Sequence, residues 1–346
     1  MCSRWFAPPN LGALGLVALG ILAQMTAGAA TRPHYGGTLR VEIRQAIETP
    51  DPPQTGPGMA DLAEVFSITR WEGGRQAAYS ANENATGGRP FVDEVEIQMG
   101  RPLRDQVIDL ELGKADIVEL GWNELRRSST NRRIWTSAPV RLLALVFTSR
   151  ITDARVREAL ALAIDRSAIH SVLLQRQGEI SGGFLPQWIS GYAFLFPTAQ
   201  DTTKARSLTG SLPSAARALA LSFEDPALRS IAERIALNAR DAGLALSAGS
   251  NTNPDVRLME VRITSSMPSQ ALAGVAAALG LPEPPHTGSP EALFAAERFL
   301  LNDFRVIPLF HLPDVYGVGP RVKGDPGISR LGEWRFENVW LEGGRP

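Results

Sequence analysis

Cysteine is almost absent from this chain. One is present in 346 residues, Cys2. It precedes the apolar run at residues 11–23, so it does not sit where a lipoprotein leader places its lipidated thiol. With no cysteine beyond it, disulfides and thiolate metal sites are excluded, and the composition suits an oxidising compartment. Histidine is scarce too. The four (34, 170, 286 and 311) are scattered. His170 falls within a helical pattern and reads as structural, and neither His34 nor His311 sits in a ligand-spaced cluster, so no metal site and no cofactor are expected. Basic runs are missing as well. Thirty-five basic residues face 36 acidic ones, for a net charge of −1, which gives no footing for nucleic acid. The chain has no His-Glu-x-x-His, no phosphate-binding Gly-x-x-x-x-Gly-Lys-Ser/Thr and no Gly-x-Gly-x-x-Gly after a strand. Gly178-Glu-Ile-Ser-Gly182 has the wrong spacing for a nucleophile elbow. No enzyme is expected.

What is present is an ordinary globular mix, 44% hydrophobic and 21% charged, long enough for two sizeable cores. The N-terminus reads as a secretory leader over residues 1–30. Arg4 supplies its charge and residues 11–23 its apolar stretch, with Ala27-Gly28-Ala29 as a cleavage site cut after Ala29 or Ala30. That stretch is shorter than the roughly 20 residues a membrane-spanning helix needs.

The pattern along the rest is α/β. Residues 38–43 alternate as a strand after a Gly pair, and residues 48–58 are too rich in Pro and Gly for regular structure. A helix is expected over 102–113 and a strand over 113–120, followed by Gly121-Trp122-Asn123-Glu124. Residues 140–148 are nearly all apolar, as in a fully buried strand. From Asp153 the sequence turns helical, with Val156, Leu160, Ile164, Ala168 and Val172 at helical spacing and Gly178 as the stop. Residues 182–196 then form a Gly- and aromatic-rich loop carrying Trp188, Tyr192 and Phe194. Residues 197–213 read as loop. Asp225-Pro226 opens a helix that Gly243 ends; short strands come next at 244–247 and 256–263, then a helix from Ser289 to Asn302 and a strand at 306–310.

Several of these segments carry a resemblance. "VREALALAIDRSAI…LLQRQGEISGGFLPQW", the opening Gly-Gly-Thr-Leu-Arg-Val and the closing "AAERFLLNDFRVIPLFHLPDVYGVGPRVKG" are similar to segments of extracytoplasmic solute-binding proteins of the peptide/nickel class, which serve ABC importers. The resemblance implies a two-lobed periplasmic-binding-protein clamshell of the type II kind, with lobe one from residues 31–142 plus 308–346 and lobe two from 143–307. It implies crossing segments near residues 140–149 and 300–310. Relatives insert a long section near residue 60 that builds an additional domain, and this chain passes straight on, so the extra domain is expected to be missing. It also has Ala85-Thr86 where relatives carry an aromatic pair.

The function implied is capture of a small or peptide-like solute outside the cytoplasmic membrane, in the periplasm, by a monomer that delivers it to ABC permease subunits. The candidate ligand residues are Trp188, Tyr192, Phe194, Trp122 and Asn123. The rings either line a cleft or cover the core, and the sequence leaves both open. Peptide-binding relatives hold the ligand's amino terminus with an Asp in a Trp-x-x-Asp-Tyr-type motif. The matching stretch here, residues 262–268, has neither Trp nor Asp, which argues against a free peptide amine at that point. A reduced scaffold or partner-binding protein derived from this family is the alternative.

Overall fold

The computed structural model describes residues 32–48, 62–122, 124, 132–192, 195–249, 252–285 and 288–342. The expected leader, and Asn123 and Phe194 among the candidate ligand residues, lie outside them. Tyr35–Pro346 form one compact unit.

Thirteen strands run through the described residues: β1 (Thr38–Glu42), β2 (Phe66–Glu72), β3 (Gln76–Ala81), β4 (Glu94–Gln98), β5 (Ile117–Glu119), β6 (Arg133–Phe147), β7 (Glu179–Ile180), β8 (Ala218–Phe223), β9 (Ala245–Ala248), β10 (Val256–Arg262), β11 (Val306–Val318), β12 (Val322–Asp325) and β13 (Asn338–Leu341). Eleven join one mixed sheet in the order β2-β3-β4-β1-β5-β11-β6-β10-β8-β9, with β7 added to β11; β12 and β13 pair separately. The long antiparallel pair β6–β11 is the seam of this sheet.

On one side of the seam, Leu39, Val41, Ile97, Ile117, Phe66, Trp334 and Phe336 pack into one hydrophobic cluster. On the other, Leu142 to Phe147, Leu160, Ile231, Leu258, Val275 and Leu300 belong to a second, larger one. Both seam strands are apolar along the stretch that crosses, as a strand covered on two faces must be. All 13 residues of β11 are buried. Its two prolines, Pro308 and Pro313, fall beside the register shifts of the β6 ladder, where a missing N–H costs least.

Several expectations change. β6 begins at Arg133 and β11 runs on to Val318, so both seam strands are longer than their apolar cores suggest. The helix from Asp153 does not continue to Gly178. Helix Ala154–Ala163 ends where Ile164 turns extended. Asp165 then caps a short helix, Arg166–Ala168, by accepting from the Ala168 N–H, and a π-helical turn comes after it at Ile169–Leu173. A capping carboxylate at the break offers the backbone an alternative to the continuing ladder. Arg166, which falls between the apolar positions of that period, is 1% exposed and donates to the carbonyls of Ala161, Pro308 and Thr198; Val172, one of the apolar positions, is 58% exposed. Burial without an acid partner pulls the Arg166 guanidinium down to about 10. Residues 197–213, expected as loop, contain helix Thr202–Gly210, capped by Asp201; only Ala205 and Thr209 are buried on it, too few to give a periodic signal. Helix Pro268–Ala278 had no sequence expectation at all.

Candidate functional site

The seam strands and their neighbours build a charged cleft. Antiparallel pairing sets Arg262 of β10 directly opposite Arg141 of β6, an arrangement that repels unless an anion lies between them. Asp314 supplies it. The register shifts on both sides of Pro313 form a bulge in β11 that takes Asp314 out of the ladder, and its freed N–H is satisfied by Ser137 Oγ at 2.9 Å. The Asp314 carboxylate then accepts from Arg141 Nε at 2.5 Å and from Arg262 Nη1 at 2.6 Å. Burial alone would push this carboxyl up; the two guanidinium groups outweigh it and hold it below its ordinary value.

Alternation along β10 places Glu260 on the face of Arg262, where it accepts from Arg141 Nη1 at 2.6 Å. From the other side, β5 ends at Glu119, whose carboxylate takes the Arg44 N–H at 2.5 Å and lies 3.7 Å from Arg141 Nη2. Burial raises Glu119 despite these partners. Arg44, just past β1, reaches across the cleft to Asp225 and lies 3.8 Å from Glu260. Asp225 was expected only as a helix cap. It does accept from the Ala227 N–H, and its second oxygen holds Arg44. Tyr316, opposite Glu119 in the ladder, lies among the same charges, and its buried hydroxyl has no hydrogen-bond partner among the described residues.

Two adjoining spaces open on this network. One, of about 50 Å³, is lined by Arg44, Glu119, Trp122, Arg141, Asp225 and Asp314, among others. The larger, about 580 Å³, is lined by Arg44, Arg141, Glu224, Asp225, Glu260 and Arg262, with Leu228, Leu258 and Met259. That volume suits a small solute.

Of the expected ligand residues, the structure brings Trp122 to this cleft. Trp188 and Tyr192 are not among the residues lining these two spaces. Both are half-buried against the larger hydrophobic cluster. The Trp188 indole donates to the Pro139 carbonyl at 2.9 Å, with Arg330 over its ring at 5.9 Å. The Tyr192 hydroxyl donates to Glu297. The charged residues that do line the cleft were not singled out from sequence, although Glu260 and Arg262, at alternate positions of the apolar strand β10, were a usable signal.

A third space, about 310 Å³, lies beside β7 and is lined by His170, Glu179, Ser181, Gln187 and His311, among others. His311 is buried, with Nε2 3.1 Å from the Phe184 carbonyl and 3.5 Å from Ser181 Oγ, and Nδ1 3.4 Å from Glu179. Ser181 donates instead to the Gly183 carbonyl at 2.5 Å, so it is not poised as a nucleophile. No group of three or more metal-ligating side chains occurs among the described residues.

Residues 48–244, more than half the chain, match the family described as bacterial extracellular solute-binding proteins, family 5 Middle, and the chain belongs to that family. Over 144 residues it is 24% identical to the oligopeptide-binding protein AppA of Bacillus subtilis (strain 168), a match covering 40% of this chain and 26% of AppA. Among solved structures, it is similar to the ABC transporter substrate-binding protein CtaP of Listeria monocytogenes, with a TM-score of 0.67 at 14% identity over 80% of this chain and 66% of that one. It is also similar to NikA of Staphylococcus aureus, solved with Ni(L-His)2, with a TM-score of 0.65 at 16% identity over 80% of this chain and 68% of that one. The fold is therefore the two-lobed α/β clamshell of these binding proteins, in a chain spanning about two thirds of their length.

Proposed function

We propose that the chain is the extracytoplasmic solute-binding component of an ABC importer, capturing a small solute between two lobes and handing it to permease subunits. Residues 31–142 and 308–346 make one lobe and 143–307 the other, and β6 and β11 are the segments that flex. The observation that carries this reading is the cleft itself: Arg44 and Gln45 after β1, Arg141 of β6, Glu224, Asp225 and Leu228 after β8, and residues of β10 converge on one space of about 580 Å³. A ligand touching both sides would favour the closed form by its differential affinity. A leader at residues 1–30, export to the periplasm and a monomeric state complete the proposal. Trp122 is its aromatic cleft residue. Asn123, beside it in sequence, belongs to the same proposal, as do Trp188, Tyr192 and Phe194 as the more remote candidates.

The test is native mass spectrometry on protein purified from its own host. A co-purified small molecule, together with a smaller radius of gyration on rebinding, is the expected result. Bare protein that no small solute compacts would sink it.

One observation favours a second reading. The cleft's charges already satisfy one another, Arg44 with Asp225 and Arg141 with Glu260 and Asp314. A shortened family member whose cleft is closed by its own side chains would serve as a scaffold or partner-binding protein, and it would leave the same spectrometer with a protein partner and no solute.

A further inference from the structure

Arg44 occupies the cleft as a ligand's cation would. Its guanidinium reaches from the loop after β1 to Asp225 and toward Glu260 on the far side. Among the described residues lining the two spaces, the carboxylates are Glu119, Glu224, Asp225, Glu260 and Asp314, and the cations are Arg44, Arg141 and Arg262. Negative charge is in excess.

The members of the network differ in how readily they can be exchanged. Asp314 is 1% exposed and held by two arginines. An anionic ligand recruiting Arg141 or Arg262 would strip a buried carboxylate of its counter-charge, a strongly unfavourable step. A cationic ligand needs only Arg44 to withdraw. Arg44 is 34% exposed and Asp225 25%, so the freed guanidinium returns to water and the vacated carboxylates accept the newcomer at little cost. Trp122, at the same opening, is the side-chain type whose ring face best attracts a cation.

We propose that the solute carries an ammonium or guanidinium group that replaces the Arg44 guanidinium at Asp225 and Glu260. This rests on the reading of the chain as a solute-capturing protein. Arg44 is then a competitor built into the cleft: it keeps the empty site's carboxylates paired and sets a threshold that only a better-placed cation crosses.

Agmatine, which carries both cation types, is the probe, with succinate as a small anion, titrated calorimetrically into the full chain and followed by tryptophan fluorescence. Wild type is expected to bind agmatine and not succinate. Arg44→Ala, which removes the competitor, should bind agmatine about tenfold more tightly, and the double variant Asp225→Asn/Glu260→Gln about tenfold more weakly, with circular dichroism unchanged in both. Succinate binding in place of agmatine, agmatine affinity that Arg44→Ala does not raise, or no agmatine binding by either protein would overturn the proposal. Native mass spectrometry separates this from the broader reading. A co-purified neutral or anionic solute ends the cation assignment and leaves capture standing, whereas bare protein with no solute bound ends both.

Discussion

The Tyr192 hydroxyl donates to Glu297 Oε2 at 2.5 Å, joining an aromatic loop to helix Pro290–Leu301. The other oxygen of that carboxylate accepts the backbone N–H groups of Phe184 and, at 3.1 Å, Leu185. Glu297 is 0% exposed, so its oxygens depend on these donors. Tyr192→Phe removes one of them, leaving the ring in place, and should lower stability by about 1–3 kcal/mol, read as the urea midpoint. A loss of affinity at unchanged stability would instead put this hydroxyl on the ligand.

Glu297 itself makes stability depend on pH. Burial raises its carboxyl above the ordinary 4.5, and the donors from Tyr192, Leu185 and Phe184 pull it back only in part. A folded-state value above the unfolded one means that the folded protein binds the proton more tightly. The contribution is fully present below pH 4.5 and is lost as pH rises through the folded value. Glu297→Gln, neutral at every pH, should therefore gain stability relative to wild type across that window. Urea unfolding of both proteins from about pH 4 to about pH 8 measures it, and parallel curves would refute the assignment.

How much of this was legible in the sequence depends on what makes a pattern. The helices ending at Gly243 and beginning at Ser289 were legible because each has a cap, a proline at the first turn and a buried stripe. The break at Ile164 was not, because Ala-rich sequence keeps its period on both sides and only the Asp165 cap marks the stop. The ends of β6 and β11 were missed since polar residues, prolines and a bulge interrupt the apolar signal there. The cleft suffered the same way. Arg44, Arg141, Glu260 and Asp314 lie far apart in sequence, and only strand register brings them together. The aromatics attracted notice because they cluster on a Gly-rich stretch, yet the polar ends of Trp188 and Tyr192 are engaged by Pro139 and Glu297.

The two tryptophans should separate in their effects. Both pack on the larger hydrophobic cluster, but Trp122 also lines the cleft, whereas Trp188 lines neither space and has its N–H on Pro139. Trp188→Ala, at a half-buried ring, is expected to cost up to about 3 kcal/mol of stability. Trp122→Ala should cost less and weaken solute binding by more. Thermal melts and titrations on both variants decide it; equal losses of affinity would place both rings at the ligand.

The Asp314 pair of bonds gives the sharpest test, because it predicts a pH dependence opposite to that of Glu297. Arg141 and Arg262 face each other across β6 and β10, and Asp314 is the carboxylate that bonds both. Asp314→Asn leaves two half-buried guanidinium groups beside a neutral amide, with Arg141 still held by Glu260, at a cost of about 3 kcal/mol near neutral pH. Since the folded-state carboxyl lies below the ordinary 3.8, its stabilisation is present above that value and fades as pH falls through the folded one. The gap between wild type and Asp314→Asn should thus be wide at about pH 7 and shrink below about pH 4. Gly332→Ala probes the same bond from outside. Gly332 has φ +82°, and a Cβ there would strike the Asp314 carboxylate and come within 2.9 Å of Arg262 Nη2, so this variant should lose stability with the same pH profile. A gap that persists undiminished in acid would show that the arginines, and not the Asp314 charge, hold this part of the seam.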